Sequence, residues 1–338
     1  MHEKALTIDD IARLARVNKS TVSRVINNTR GVTISEKTRA RVLAIIEKTG
    51  FRKHAVASRL KSGFRDIAVV VAEPEPDLVF HPIYQELLTR LTLAFGRLGK
   101  HVAIHHYTTQ AEENLRNNLD ASLYAGVVIL GSHPYRAFDA VAAHIPTLRI
   151  FHDHPSPRMS FFLQDHAQAA GLCLSFLRAR GLRRIHAVFY AQSRLLRDRE
   201  AAIRAAAATM PGLELNAIHL KRTESHDPLE PEVLHRLADE ARLPDLVKGK
   251  HEVFLLAADA LGLWQYFISH GVLAPRDTSI MAWDRPVSHK HLAPGLSAVG
   301  IDYEALADKV CGFFEKTEMN VTELIPSVLY EGTTVVGG

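Results

Sequence analysis

Hydrophobic spacing along the chain changes character near residue 65. Before that point apolar positions recur every three or four residues in short runs, the period of an amphipathic helix. Ile8, Ile11, Ala12 and Ala15 form one stripe, Val22, Val25 and Ile26 a second, and Val42, Ile45 and Ile46 a third. Thr7 precedes the first run with Asp10 three residues on, in capping-box order. Arg16 and Val17 make a tight turn, and Asn18 can cap the second run. Ser35 can cap the third, from Glu36 to about Lys48, and Gly50 stops it. The pattern predicts three short helices, the first two joined by a tight turn.

From Ile67 onward, near-continuous apolar strands alternate with helical stretches. Strands are expected at 67–72, 101–107, 126–131, 147–154, 185–190, 253–259, 279–284 and 296–301, with weaker ones at 215–219 and in VLYEGTT. Helices are expected near 82–98, 112–124, 138–143, 167–180, 195–210, 232–242, 260–270 and 302–316. Strands apolar on both faces and separated by helices indicate parallel sheets covered on both sides. A break near 152–164 divides the alternation in two. The expected fold class is an all-α helix-turn-helix head plus an α/β body of two doubly wound parallel-sheet lobes, with ligands bound beyond the carboxyl ends of the strands. The expected boundaries are 1–50 for the head, 51–63 for a hinge and 64–338 for the body. Within the body, lobe one takes about 64–162 and 294–325, and lobe two 163–293 and 326–338.

Charge changes the picture for the head alone. The whole chain carries only +4, but residues 1–65 hold fifteen Lys and Arg against five acids. A surplus of ten positive charges there leaves the remainder at −6. A basic head on an acidic body points to a polyanion partner for the head. The two cysteines, Cys173 and Cys311, are too few for a disulfide framework or a zinc site and fit a reduced compartment. Asp9, Asp10 and Arg13 interrupt any signal-peptide core, and no apolar run approaches the ~18 residues of a membrane span. A cytoplasmic protein without membrane contact is expected.

Two short helices across a tight turn, the second polar and basic outside, form a helix-turn-helix whose second helix fits the DNA major groove. TIDDIARLARVNKSTVSRVIN (Thr7 to Asn27), followed by SEKTRARVLAIIEKTGF, closely resembles the lactose-repressor/galactose-repressor family. The resemblance implies that Lys19, Ser20 and Arg24 read bases, while Thr7, Thr21, Ser23 and Asn27 position phosphates. Arg16 stands where the family usually has glycine. It carries strain if the turn needs a positive φ, or else adds a phosphate contact. In FRKHAVASRLKSG (51–63), Leu60 matches the family's minor-groove wedge and Ala57 the small residue before it. Lys53 and His54 replace the usual proline and asparagine.

The body resembles the family's effector domain, itself similar to periplasmic sugar-binding proteins. The resemblance puts Arg199, Asp259 and Asp284 at the ligand. The competing roles are a structural salt bridge for Arg199 and helix N-caps for the two aspartates. Ala258 stands where many sugar-responsive members have asparagine, and Gln164-Asp165-His166 replaces Val-Asp-Asn, with Asp165 retained as a cleft candidate. Histidines gather at predicted strand ends: His81, His105, His106, His133, His152, His154 and His166. Of these His81, His133 and His152 are the effector candidates, and imidazoles there suit a sugar acid or sugar phosphate. No tight metal-ligand spacing occurs, no nucleophile elbow, P-loop or GxGxxG appears, and neither metal, cofactor nor catalysis is expected. The expected protein is a transcriptional regulator, a repressor in kind, working as a homodimer on a pseudo-palindromic duplex operator under a small-molecule effector. The alternative is a solute-binding protein without a regulatory role.

Overall fold

The computed structural model describes residues 8–26, 34–49, 66–72, 82–107, 118–119, 121–131, 136–153, 156–189, 194–220, 231–249, 251–257, 259–285, 295–316 and 320–336. The chain divides into two compact units, 1–65 and 66–338, each taken by itself below.

In the head, helices α1 (Ile8–Ala15), α2 (Lys19–Ile26) and α3 (Glu36–Thr49) follow the three apolar stripes. Ile11, Ala15, Val22 and Val42 are fully buried, with Ile8, Val17, Ile34, Ile45 and Ile46 packed around them. Ser35 Oγ accepts the Thr38 N–H at 3.3 Å, the capping bond its position predicts. The turn between α1 and α2 is closed by Val17 N–H on Ala12 O, 3.1 Å, and Arg16 sits there at φ 49°. That is the left-handed region, where an L side chain crowds its own backbone at a cost of about 1–2 kcal/mol.

The body holds two six-stranded sheets. The first contains β1 (Asp66–Ala72), β2 (Val102–Tyr107), β3 (Tyr124–Leu130), β4 (Thr147–Ile150) and β5 (Ser160–Gln164), covered by α4 (Pro82–Arg97) and α5 (Ala137–Ala142). The second contains β6 (Arg184–Phe189), β7 (Glu214–His219), β8 (Glu252–Leu256), β9 (Ser279–Trp283) and β10 (Ser297–Ile301). Around it lie α6 (His166–Ala179), α7 (Arg194–Ala208), α8 (Pro231–Glu240) and α9 (Ala260–Ser269). Helix α10 (Tyr303–Glu315) returns to pack on α4, then β11 (Thr322–Ile325) joins the first sheet and β12 (Ser327–Tyr330) the second. Strand orders are β11-β5-β4-β3-β1-β2 and β12-β10-β9-β8-β6-β7.

Burial on both faces explains the apolar runs. Ile67, Val69 and Val71 of β1 pack under α4 and α10, while Ala68, Val70 and Ala72 face Phe138 and Val141 of α5. In β8, Phe254 and Leu256 meet α9, and Val253 and Leu255 meet α6. A period of two along the strand divides the residues between two cores.

Three expectations are corrected. The break assigned to 152–164 contains a strand, β5, whose SFFLQ is short enough to pass for loop. Strand β10 was expected in the first lobe with residues 294–325, yet it pairs with β9 in the second sheet. The chain therefore crosses at Asp302, which caps α10 through the amides of Glu304 and Ala305. The second sheet is also not wholly parallel, because β12 runs antiparallel to β10. After β11 the chain crosses through Pro326 alone into β12. The expected helix at 112–124 falls largely outside the described residues, and its last residue opens β3.

Gly300 allows β10 to run beside the turn after β9: a Cβ there would lie 2.9 Å from Asp284 Cα. Gly300→Ala is expected to cost about 1–3 kcal/mol by overpacking, read as a lower midpoint in urea unfolding of the full chain. An unchanged midpoint would mean the backbone yields there freely. Arg16→Gly is expected to do the opposite in the head, relieving up to about 1 kcal/mol of strain. Slower amide exchange in α1 and α2 checks it, and faster exchange would mean the arginine side chain outweighs its backbone.

Candidate functional site

The head presents its polar face on α2. Lys19, Ser20 and Arg24 are exposed, and Thr21 and Ser23 are half-buried beside them. Apolar Val22 and Val25 take the inner face, so the helical period sends 20 and 24 outward together. Lys19 Nζ pairs with Asp9 of α1 at 2.7 Å, a solvent-exposed contact a phosphate or base can compete for. Thr7, Asn27, Ala57 and Leu60 lie outside the described residues.

In the body, the carboxyl ends of β8 and β9 converge on α7. Arg199, 4% exposed on α7, donates Nη1–H to Ala257 O at 2.5 Å and Nη2–H to Asp284 Oδ2 at 2.9 Å. Its guanidinium carbon lies 5.0 Å from the Trp283 ring centre. Asp284 is itself buried and follows β9 at φ 70°. Asp259 follows β8 at φ 39° and caps α9, its carboxylate accepting the Gly262 N–H at 3.1 Å. Phe151 follows β4 at φ 69°. Three non-glycine residues in left-handed backbone, each after a strand, concentrate strain at this end of the body, of order 1–3 kcal/mol apiece.

Asp165 lies where the chain passes from β5 into α6 and caps that helix through the Gln168 N–H at 2.9 Å. Both sequence-predicted readings of Arg199 and Asp259 thus meet in one place: the salt bridge and the cap exist, and they stand at the strand ends. Asp284 serves the ion pair with Arg199 and caps no helix among the described residues. His152 follows β4 and is held down to about 3 by burial and by the Arg149 guanidinium. His105 is spent elsewhere, its Nε2 3.0 Å from Tyr124 Oη on the edge of the first sheet. His81, His133 and His154 lie outside the described residues.

Sequence reasoning missed several neighbours. Arg149, fully buried on β4, donates Nη2–H to Gly131 O beyond β3 at 2.9 Å. Trp283 donates Nε1–H to Gln164 Oε1 at 3.4 Å, and Gln164 Nε2–H donates to Ser327 Oγ at 3.1 Å. Gln168 adds two bonds to the Ser327 backbone. These amides tie two of the crossings between the lobes to the base of the cleft. The departure from Val-Asp-Asn to Gln-Asp-His was the available signal for Gln164. Arg194 of α7 meets Asp153 of the first lobe at 2.8 Å. Among the described residues no group of three or more His, Cys, Asp or Glu could hold a metal ion, and no helix is long and apolar enough to cross a membrane.

Residues 7–53 match the model of bacterial regulatory proteins of the lacI family, and residues 174–316 match a periplasmic binding protein-like domain. The chain is 29% identical over 189 residues to the HTH-type transcriptional regulator PtxS of Pseudomonas putida, covering 54% of this chain and 53% of that one. It is 44% identical over 69 residues to the regulator TreR of Salmonella typhimurium, covering 20% and 21%. The chain thus spans about half of the first relative and a fifth of the second. The ribose operon repressor of Haemophilus influenzae is 26% identical, with 87% of this chain and 86% of that one covered. Among solved structures, the lac repressor dimer bound to operator and the anti-inducer ONPF superposes at TM-score 0.76 and 20% identity over 99% of this chain and all of that one. The regulator CelR in complex with cellobiose gives 0.62 and 20% over 97% and 99%. The head is thus matched by the lacI-family model and the middle and later part of the body by the periplasmic binding protein-like model, in that order along the chain.

Proposed function

We propose that this protein is a sequence-specific transcriptional regulator that binds duplex DNA through α2 and changes its affinity when a small molecule occupies the cleft of the body. The observation that carries the reading is the exposed Lys19-Ser20-Arg24 face, on the second helix of a basic head within the region matched by the lacI model. Lys and Arg suit guanine O6 and N7, and Ser20 is a less selective partner. Thr7, Thr21, Ser23 and Asn27 take the phosphates, and Ala57 and Leu60 enter the minor groove. As a homodimer the protein sets two α2 helices in successive major grooves, which calls for a pseudo-palindromic operator. Repression and the absence of turnover belong to this reading.

The effector is a sugar or a derivative of one. Supporting it are the relatives, one named for the ribose operon and one solved with cellobiose, and a cleft rich in hydrogen-bonding groups. Arg199 and Asp284 are its centre, with His81, His133, His152, Asp165 and Asp259 around them. An effector shifts DNA affinity only by as much as it prefers one lobe arrangement over the other. The buried amides at the crossings are where such a preference is transmitted.

Specific operator binding is expected to fall steeply as salt rises, because each phosphate neutralised releases counterions. Equal, weak affinity for every duplex at low and moderate ionic strength would overturn the reading. Arg24→Ala is expected to relax preference at one operator position by ~1–3 kcal/mol, measured by gel shift across single-base variants. A uniform loss across all variants would make Arg24 a phosphate contact instead. Arg199→Ala is expected to abolish the effector response and to leave Asp284 buried without its cation, at a cost of about 3–5 kcal/mol in urea unfolding. A normal response to sugars would remove Arg199 from the site.

A further inference from the structure

Lys19 and Asp9 bring opposite charges together on the outer surface of the head. Lys19 Nζ donates to Asp9 Oδ2 at 2.7 Å, joining the first turn of α2 to the first turn of α1. The two side chains are 54% and 57% exposed, so the core of the head does not require the pair. Exposed pairs of this kind add little stability. Asp10, the next residue, turns to Arg13 of its own helix at 3.2 Å. A head with fifteen cations and five acids therefore sets one of its few carboxylates against a candidate base reader.

The helix ends decide which partner depends on the other. The amide end of a helix favours an anion and disfavours a cation. Asp9 lies in the first turn of α1 and is stabilised there whatever Lys19 does. Lys19 is the first residue of α2, the wrong end for an ammonium, and Asp9 supplies the compensating charge. Without that carboxylate, a lysine on its flexible four-carbon stem swings toward the nearest phosphate, which is the same on every sequence.

Donor count decides what the held ammonium can still do. An ammonium carries three N–H donors. One is on Asp9, and the other two are enough for the O6 and N7 acceptors of a guanine edge. Those acceptors are uncharged, so the carboxylate does not oppose them. A phosphate is anionic, and it meets a lysine whose charge is already cancelled by the carboxylate behind it.

We propose that Asp9 is a specificity-determining residue of the head: it positions the Lys19 ammonium for a guanine edge and cancels the charge by which Lys19 would bind phosphate on any sequence. This rests on the reading of α2 as the recognition helix and extends it to α1.

The test uses the full-length protein and two duplexes, one selected from a random-sequence library by the parent protein and one a scramble of it. Affinity is measured by fluorescence anisotropy for both duplexes across a sodium chloride series, and for every single-base variant of the selected one. Lys19→Gln first marks the base pair that Lys19 reads, as the position where preference is lost. Asp9→Asn is expected to relax preference at that same position about fivefold or more. It is also expected to bind the scramble about threefold tighter and to steepen the salt slope by about one. Asp9→Glu is expected to restore most of the parent's preference. The proposal is overturned if Asp9→Asn keeps the parent's single-base profile, even with tighter binding to the scramble, because charge alone accounts for that. It is overturned equally if preference falls uniformly at all positions, or if Lys19→Gln loses preference at none. A parent protein that selects no duplex would instead overturn the DNA-reading assignment on which the proposal rests.

Discussion

The buried ion pair between Arg199 and Asp284 is the constraint around which the body is arranged. It joins α7 to the turn after β9, and a second nitrogen of the same guanidinium holds the carbonyl after β8. Three elements distant in sequence are thereby fixed within one side chain's reach. Such a pair is weak as a source of stability, because desolvating both charges nearly cancels their attraction. Its effect is geometric: a planar guanidinium accepts partners in few directions and dictates where the strand ends stop. Gly300 makes the arrangement possible by letting β10 lie against Asp284 without a side chain between them.

Strain and capping follow from that geometry. Asp259 and Asp284 sit in left-handed backbone that costs free energy, and the surrounding bonds over-determine it. Asp165 and Asp259 each spend a carboxylate on a helix end, capping α6 and α9. Gln164 and Gln168 extend the hydrogen-bond network from Trp283 to Ser327 at the last crossing.

The head obeys simpler rules. Three helices enclose a small core of branched and small residues, and the outer face of α2 is left to polar side chains. Its sequence states nearly everything that matters, because a helix of eight residues has one inner stripe and the remainder must face outward. Arg16 is the exception: its identity does not announce a left-handed turn, and only the chain path requires one.

For the body, legibility divides along the range of the interactions. The alternation of apolar strands and helices was readable because burial on two faces removes polar residues from a strand, a local consequence of the layered fold. The local motifs around Arg199 and Asp259 made an ion pair and a helix cap readable as roles, and the structure shows both. What could not be read is which sheet a strand joins. Strands β5 and β11 are five and four residues long, and β10 is as apolar as any first-lobe strand. Nothing in their spacing distinguishes one sheet edge from another. The crossings, the antiparallel edge and the meeting of His166, Trp283 and Gln164 depend on contacts between residues far apart in the chain. Periodicity reports the environment of a residue, whereas the identity of its neighbour is settled only when the whole chain packs.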